Sequence, residues 1–89
     1  MYLHLGQDIV VLDSDIIGIF DLDNSSYSHI TREFLKRATD NKQIINVSTE
    51  LPKSFVICKK DNEIKVYISQ LAASTLQKRA ERELYIWKY

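Results

Sequence analysis

The side chains that could carry chemistry are few and scattered. The only histidines are His4, in an apolar run, and His29, at the start of a helical pattern. For each, a solvated or hydrogen-bonded role outweighs catalysis, and no nucleophile motif marks a Ser-His-Asp site. The single cysteine, Cys58, ends the run Phe55-Val56-Ile57-Cys58. A reactive thiol needs a cationic, partly exposed setting, so Cys58 reads as a buried structural thiol. The only glycines, Gly6 and Gly18, are too few and too far apart for a phosphate loop.

Metal binding fails on spacing. Asp21-Leu22-Asp23-Asn24-Ser25-Ser26 begins like a calcium loop. Such a loop needs a glycine at its sixth position and a bidentate glutamate at its twelfth. Here those places hold Ser26 and Arg32. One cysteine and two distant histidines make no zinc site. The residues therefore predict no catalytic site, no cofactor, no metal and no small-molecule substrate, and a small enzyme is the least supported class.

The basic residues remain. Residues 1–30 hold five acids (Asp8, Asp13, Asp15, Asp21 and Asp23) and no Lys or Arg. Residues 31–89 hold all twelve basic residues and seven acids, so the two parts carry −5 and +5. A neutral chain split this way has one basic face, which is either solvated surface or a phosphate-binding patch. Lys53 sits beside the Pro52 turn, and Lys59-Lys60 lead into a hairpin. Lys78-Arg79 and Arg82 fall on the polar side of the last helix. Lysines on loops hold phosphates in register without reading bases. One copy offers few such contacts, and an oligomer would repeat them.

The elements that position these residues follow from periodicity. Tyr2-Leu3-His4-Leu5 and Ile9-Val10-Val11-Leu12 flank Gly6-Gln7-Asp8, which predicts a β-hairpin. Asp13-Ser14-Asp15 is a turn, and Ile16 to Leu22 a third strand. Asp23-Asn24-Ser25-Ser26 is a loop with N-cap candidates, Ser28 being another. From Ser28 to Asp40, Ile30, Phe34 and Ala38 recur every four residues with Leu35 beside them, predicting an amphipathic helix. Ile44 to Val47 is a short strand. Ser54–Lys59 and Ile64–Ile68 form a hairpin, with Ile64, Val66 and Ile68 on one face and Lys65 and Tyr67 on the other. Ala73, Leu76, Ala80, Leu84 and Trp87 mark a C-terminal helix. The expected architecture is α+β: a small, mainly antiparallel sheet, one central helix and a C-terminal helix.

At 89 residues the chain is expected to form one domain, 1–89. Its longest apolar run, Ile16 to Phe20, is far short of the roughly 20 residues of a membrane helix. No secretory pattern opens the sequence, and no disulfide is possible within it, so a cytoplasmic setting without membrane partners is expected.

Four segments together resemble a known family. They are Met1-Tyr2-Leu3-His4-Leu5-Gly6 leading to Asp15-Ile16-Ile17-Gly18-Ile19-Phe20-Asp21; Phe34-Leu35-Lys36; Pro52-Lys53-Ser54-Phe55-Val56-Ile57; and Ser74-Thr75-Leu76-Gln77-Lys78-Arg79-Ala80. In this order they resemble the RemA/RemB family of bacterial extracellular-matrix regulators, and most of all its RemB branch. The resemblance covers about residues 1–82, with the 83–89 tail outside it. It implies a LytTR-like fold and a non-enzymatic transcriptional regulator of biofilm-matrix genes. It also implies a homo-oligomer, such as a closed ring, that binds duplex DNA through repeated basic loops.

The sequence departs from the RemA branch where that branch carries arginines. Asp15 stands just before the Ile16-Ile17 segment, and Glu50 and Leu51 stand in the loop before Phe55. Phosphate contacts would then fall to Lys53, Lys59 and Lys60. The alternative is an oligomeric interaction module that regulates through protein partners and binds no DNA. Its acidic first third would pair with the basic remainder of a neighbouring copy.

Overall fold

Two opposed faces of one sheet organise the fold. The computed structural model describes residues 2–22 and 29–83, with side chains to residue 80. β1 (Tyr2–Gly6) and β2 (Ile9–Leu12) pair antiparallel as a separate two-stranded ribbon. Gly6, at φ 126°, gives the turn a conformation that side-chain-bearing residues avoid. A single 3-10 turn, Asp13–Asp15, leads into β3 (Ile16–Asp21). Then follow α1 (His29–Asp40), β4 (Ile44–Asn46), β5 (Ser54–Lys60), β6 (Glu63–Ser69) and α2 (Ala73–Glu83).

The α+β class is as expected, but the strands form two sheets. The larger has the order β3-β5-β6-β4. β5 is antiparallel to both β3 and β6, while β4 joins the far edge parallel to β6. β3 and β4 therefore run the same way on opposite edges. Parallel strands need a crossover of a dozen or more residues, and α1 lies within that connection.

Period-two alternation assigns the faces. Phe55 and Ile57 of β5, with Ile64, Val66 and Ile68 of β6, pack under Phe34, Leu35 and Ala38 of α1. Val56 and Cys58, with Tyr67, face the other way, onto the β1–β2 ribbon and α2. Leu3, Leu5 and Val11 come from the ribbon, and Ala73, Leu76 and Ala80 from α2. Each fully buried Leu or Val contributes about 1.5–3 kcal/mol relative to exposure. Ile30 departs from the expected stripe: it is 79% exposed, and the packed face of α1 begins a turn later, at Phe34. The first turn of α1 thus lies outside the sheet's cover.

β3 carries a bulge that the residue pattern conceals. Ile16 pairs with Cys58 and Gly18 with Ile57, so Ile17 is the extra residue. The slip resets the alternation and puts Ile16 and Ile19, three apart, in the same core.

Helix and turn ends follow local chemistry. α1 stops in a Schellman arrangement, with Gln43 N–H donating to Ala38 O at 2.8 Å and Lys42 N–H to Thr39 O at 3.0 Å. Lys42 takes the left-handed position at φ 58°. Asp61 and Asn62, both at positive φ, form the two-residue turn between Lys60 and Glu63, the type I′ geometry suited to twisted hairpins. The N-cap candidates Asp23 to Ser26 and Ser28, and the C-terminal Leu84, Tyr85, Trp87 and Tyr89, lie outside the described residues.

Candidate nucleic-acid interface

β5 separates the three lysines expected to hold phosphates. Lys53 precedes its first residue, Ser54, and Lys59 and Lys60 are its last two. At about 3.3 Å per residue, Lys53 and Lys60 stand roughly 23 Å apart. They are therefore not one patch. Strand alternation divides the far pair as well. Lys60 follows the parity of Cys58 and turns toward the ribbon, whereas Lys59 follows Ile57 toward the α1 side.

The Lys53 end is fixed by its backbone. Lys53 N–H donates to Ser69 O at 2.8 Å, and Lys53 O accepts from Leu22 N–H at 3.0 Å. The side chain is exposed, beside exposed Pro52 and Leu51, the latter 80% accessible. Glu50, whose N–H donates to Ser48 Oγ at 3.0 Å, adds an acid to the same loop. The loop here presents one cation next to an apolar side chain and a carboxylate.

The turn end is richer in lysine than the sequence suggested. Lys65 lies opposite Cys58, on the same side as Lys60. Lys42, at the end of α1, shares a shallow cleft with Glu63 and Lys65. Lys42, Lys59, Lys60 and Lys65 thus gather about the Asp61–Asn62 turn, and all four are exposed. The signal for Lys65 was present in the strand alternation. Lys42 needed the third dimension, because β6 and the end of α1 are brought together only by the crossover.

The last helix is less free than its polar pattern implied. Arg79 donates to His4 O at 3.1 Å and ties α2 to the ribbon. Gln77 donates to Ile19 O at 3.4 Å on the edge strand β3. Lys78 is exposed. His4 is hydrogen-bonded, as expected, with its ring Nε2–H donating to Gln7 O at 2.6 Å.

Cys58 is 5% exposed, as its apolar run implied. Burial, and then the nearby Asp15 carboxylate, push its thiol up to about 12. Burial also raises Tyr67, with smaller effects from Cys58 and Asp15. The thiol is therefore protonated at neutral pH and a poor nucleophile. Among the described residues, no three His, Cys, Asp or Glu side chains converge as a metal site requires. No helix among them is long and apolar enough to cross a membrane.

A family model described as RemA-like, extracellular matrix regulatory protein A-like, matches residues 2–80. Extracellular matrix regulatory protein B of Bacillus subtilis (strain 168) is 41% identical over 81 residues, covering 91% of each chain.

Proposed function

The chain belongs to the RemA-like family of extracellular matrix regulatory proteins, on its RemB branch, and from that premise we propose that it regulates matrix genes by binding duplex DNA as a homo-oligomer. No catalysis is involved, and Lys53, Lys59 and Lys60 are the phosphate contacts. The cytoplasmic setting and the LytTR-like character of the fold belong to this same reading. What supports it most is the gathering of exposed lysines about the β5–β6 turn, itself a two-residue loop of defined geometry. Repeated around an oligomer, that end would give a row of cations without any one copy binding strongly.

The roughly 23 Å between Lys53 and Lys60 makes the number of engaged ends measurable. It corresponds to about seven phosphates along one strand. The test is fluorescence anisotropy of a labelled duplex at ~50 and ~200 mM salt. Each phosphate contact contributes about −0.9 to the salt slope. For each engaged copy, three contacts multiply the loss of affinity by about forty, and Lys59 with Lys60 alone by about twelve. Lys59→Glu with Lys60→Glu should abolish binding, while Lys53→Glu shows whether the other end takes part. Light scattering at tens of micromolar should give a mass above 10.4 kDa.

One observation favours a second reading, a module that acts through protein partners. The Lys53 loop exposes Leu51 next to Glu50, which suits a protein surface better than a phosphate. No binding at low salt by folded protein would sink direct DNA recognition and leave this one. A strict monomer would remove assembly from both.

A further inference from the structure

Between the β1–β2 ribbon and the larger sheet lies an open cavity of about 300 Å³. Its floor is Val11 and Cys58, and its apolar walls are Tyr2, Val10, Leu12 and Tyr67. Three charged side chains reach it: Asp15 from the 3-10 turn, Lys60 from β5 and Lys65 from β6. Strand register sets their order. Ile16 pairs with Cys58, and Cys58 with Lys65, so Asp15 stands at one side and Lys65 at the other, about two strand spacings (~10 Å) away. Lys60 and Lys65 are diagonal neighbours on one face, within reach of one anion. None of the three forms a hydrogen bond or ion pair with any described residue.

Such a cavity offers separate places for a negative group, a positive group and an apolar body. Its two cations and one anion leave the rim net positive, which disfavours a simple cation. The protonated Cys58 thiol keeps the floor neutral. The volume is at the low end for ligand sites and admits a molecule of about a dozen non-hydrogen atoms.

We propose that this cavity binds a small amphiphilic zwitterion, an apolar α-amino acid in class. Its carboxylate rests on Lys60 and Lys65, its ammonium on Asp15, and its side chain between Val10, Leu12 and Tyr67. The inference is independent of DNA binding, although Lys60 serves in both. Its test contains no DNA, so the two readings fail separately.

The experiment is two-dimensional amide NMR of the full chain titrated with L-phenylalanine, phenethylamine or 3-phenylpropionate. The last two each lack one charge of the first. Phenylalanine should give saturable shifts at Val10, Leu12, Asp15, Lys60, Lys65 and Tyr67, with a Kd on the order of a millimolar. Each analogue should bind at least about tenfold more weakly. Asp15→Asn should reduce phenylalanine to the level of 3-phenylpropionate without weakening 3-phenylpropionate itself. Lys65→Gln should weaken both. The proposal is overturned if no saturable shift occurs by ~10 mM, a level well above the expected Kd. It is also overturned if the shifts map elsewhere, or if 3-phenylpropionate binds the unmodified protein as tightly as phenylalanine.

Discussion

The ring of Phe20 lies over Gly18: a β-carbon on Gly18 would stand 2.6 Å from both Cε2 and Cζ of that ring. The ring has little room to retreat. It stacks on Phe55, its partner across the β3–β5 ladder, with centroids 5.0 Å apart and planes 20° from parallel. The glycine is what lets this aromatic pair close the α1 side of the sheet beside the Ile17 bulge. Gly18→Ala should therefore cost about 1–3 kcal/mol by overpacking, seen as a lower urea midpoint at unchanged slope. Adding Phe20→Ala should remove most of the extra penalty. A double mutant showing the plain sum of the two single effects would mean that the clash is not what Gly18 avoids.

Ser54 and Ser69 sit opposite each other in the β5–β6 ladder, both fully buried, and both spend their hydroxyls on other elements. Ser69 Oγ donates to Leu5 O at 2.7 Å and accepts from Leu71 N–H at 3.0 Å. Ser54 Oγ donates to Leu71 O at 2.8 Å. One serine thus joins the ribbon, the sheet and the start of α2. Ser69→Ala strands a donor and an acceptor at once, so a loss of about 2–3 kcal/mol is expected. Ser54→Ala should cost less, about 1 kcal/mol. Equal effects on the denaturation midpoint would contradict the joint role of Ser69.

The strands of the β5–β6 hairpin were legible because each local cue agreed. Ile64, Val66 and Ile68 alternate with Lys65 and Tyr67, and Asp61-Asn62 supplies a turn. The β3 bulge was not legible, since Ile16-Ile17-Gly18-Ile19-Phe20 is apolar on both parities and any register satisfies the pattern. Parallel addition of β4 depends on a crossover that no short window contains. The candidate site suffered from the same limit. Lys53, Lys59 and Lys60 look adjacent in sequence, but an extended strand turns seven residues into roughly 23 Å. Lys42 and Lys65 are distant in sequence yet line one cleft, because α1 ends beside β6.

Lys42 occupies a backbone conformation that favours glycine. Its φ of 58° closes α1, with both Schellman hydrogen bonds formed. A residue with a β-carbon there costs roughly 1 kcal/mol relative to glycine. Lys42→Gly should raise stability by a few tenths to about 1 kcal/mol, the gain reduced by the greater freedom of glycine in the unfolded chain. Thermal melts of Lys42→Gly and Lys42→Ala would separate backbone from charge. Alanine loses the charge but keeps the strain, and so should not stabilise. If both variants stabilise equally, repulsion from Lys65 across the shared cleft is the cause instead.

Cys58 links the core to alkaline pH, and the direction follows from its environment. The unfolded thiol titrates near 9.0, while burial and Asp15 hold the folded one at about 12. Between those values the unfolded chain has released the proton and the folded chain keeps it. The unfolded state then binds fewer protons, so stability falls as pH rises. Below pH 9 both states are protonated and this contribution is fully present. The slope from this one group cannot exceed about 1.4 kcal/mol per pH unit. Urea denaturation at pH 8, 9 and 10, with Tyr67 left in place, should show the decline beginning near 9. Cys58→Ala lacks the group, so it should start less stable by the packing it loses and decline less steeply over the same range. Its alkylation counterpart is simple: iodoacetamide should modify native Cys58 far more slowly than the urea-unfolded chain at the same pH. Parallel pH profiles for the two proteins, or rapid labelling of the folded one, would show that the thiol is not held in its protonated, buried form.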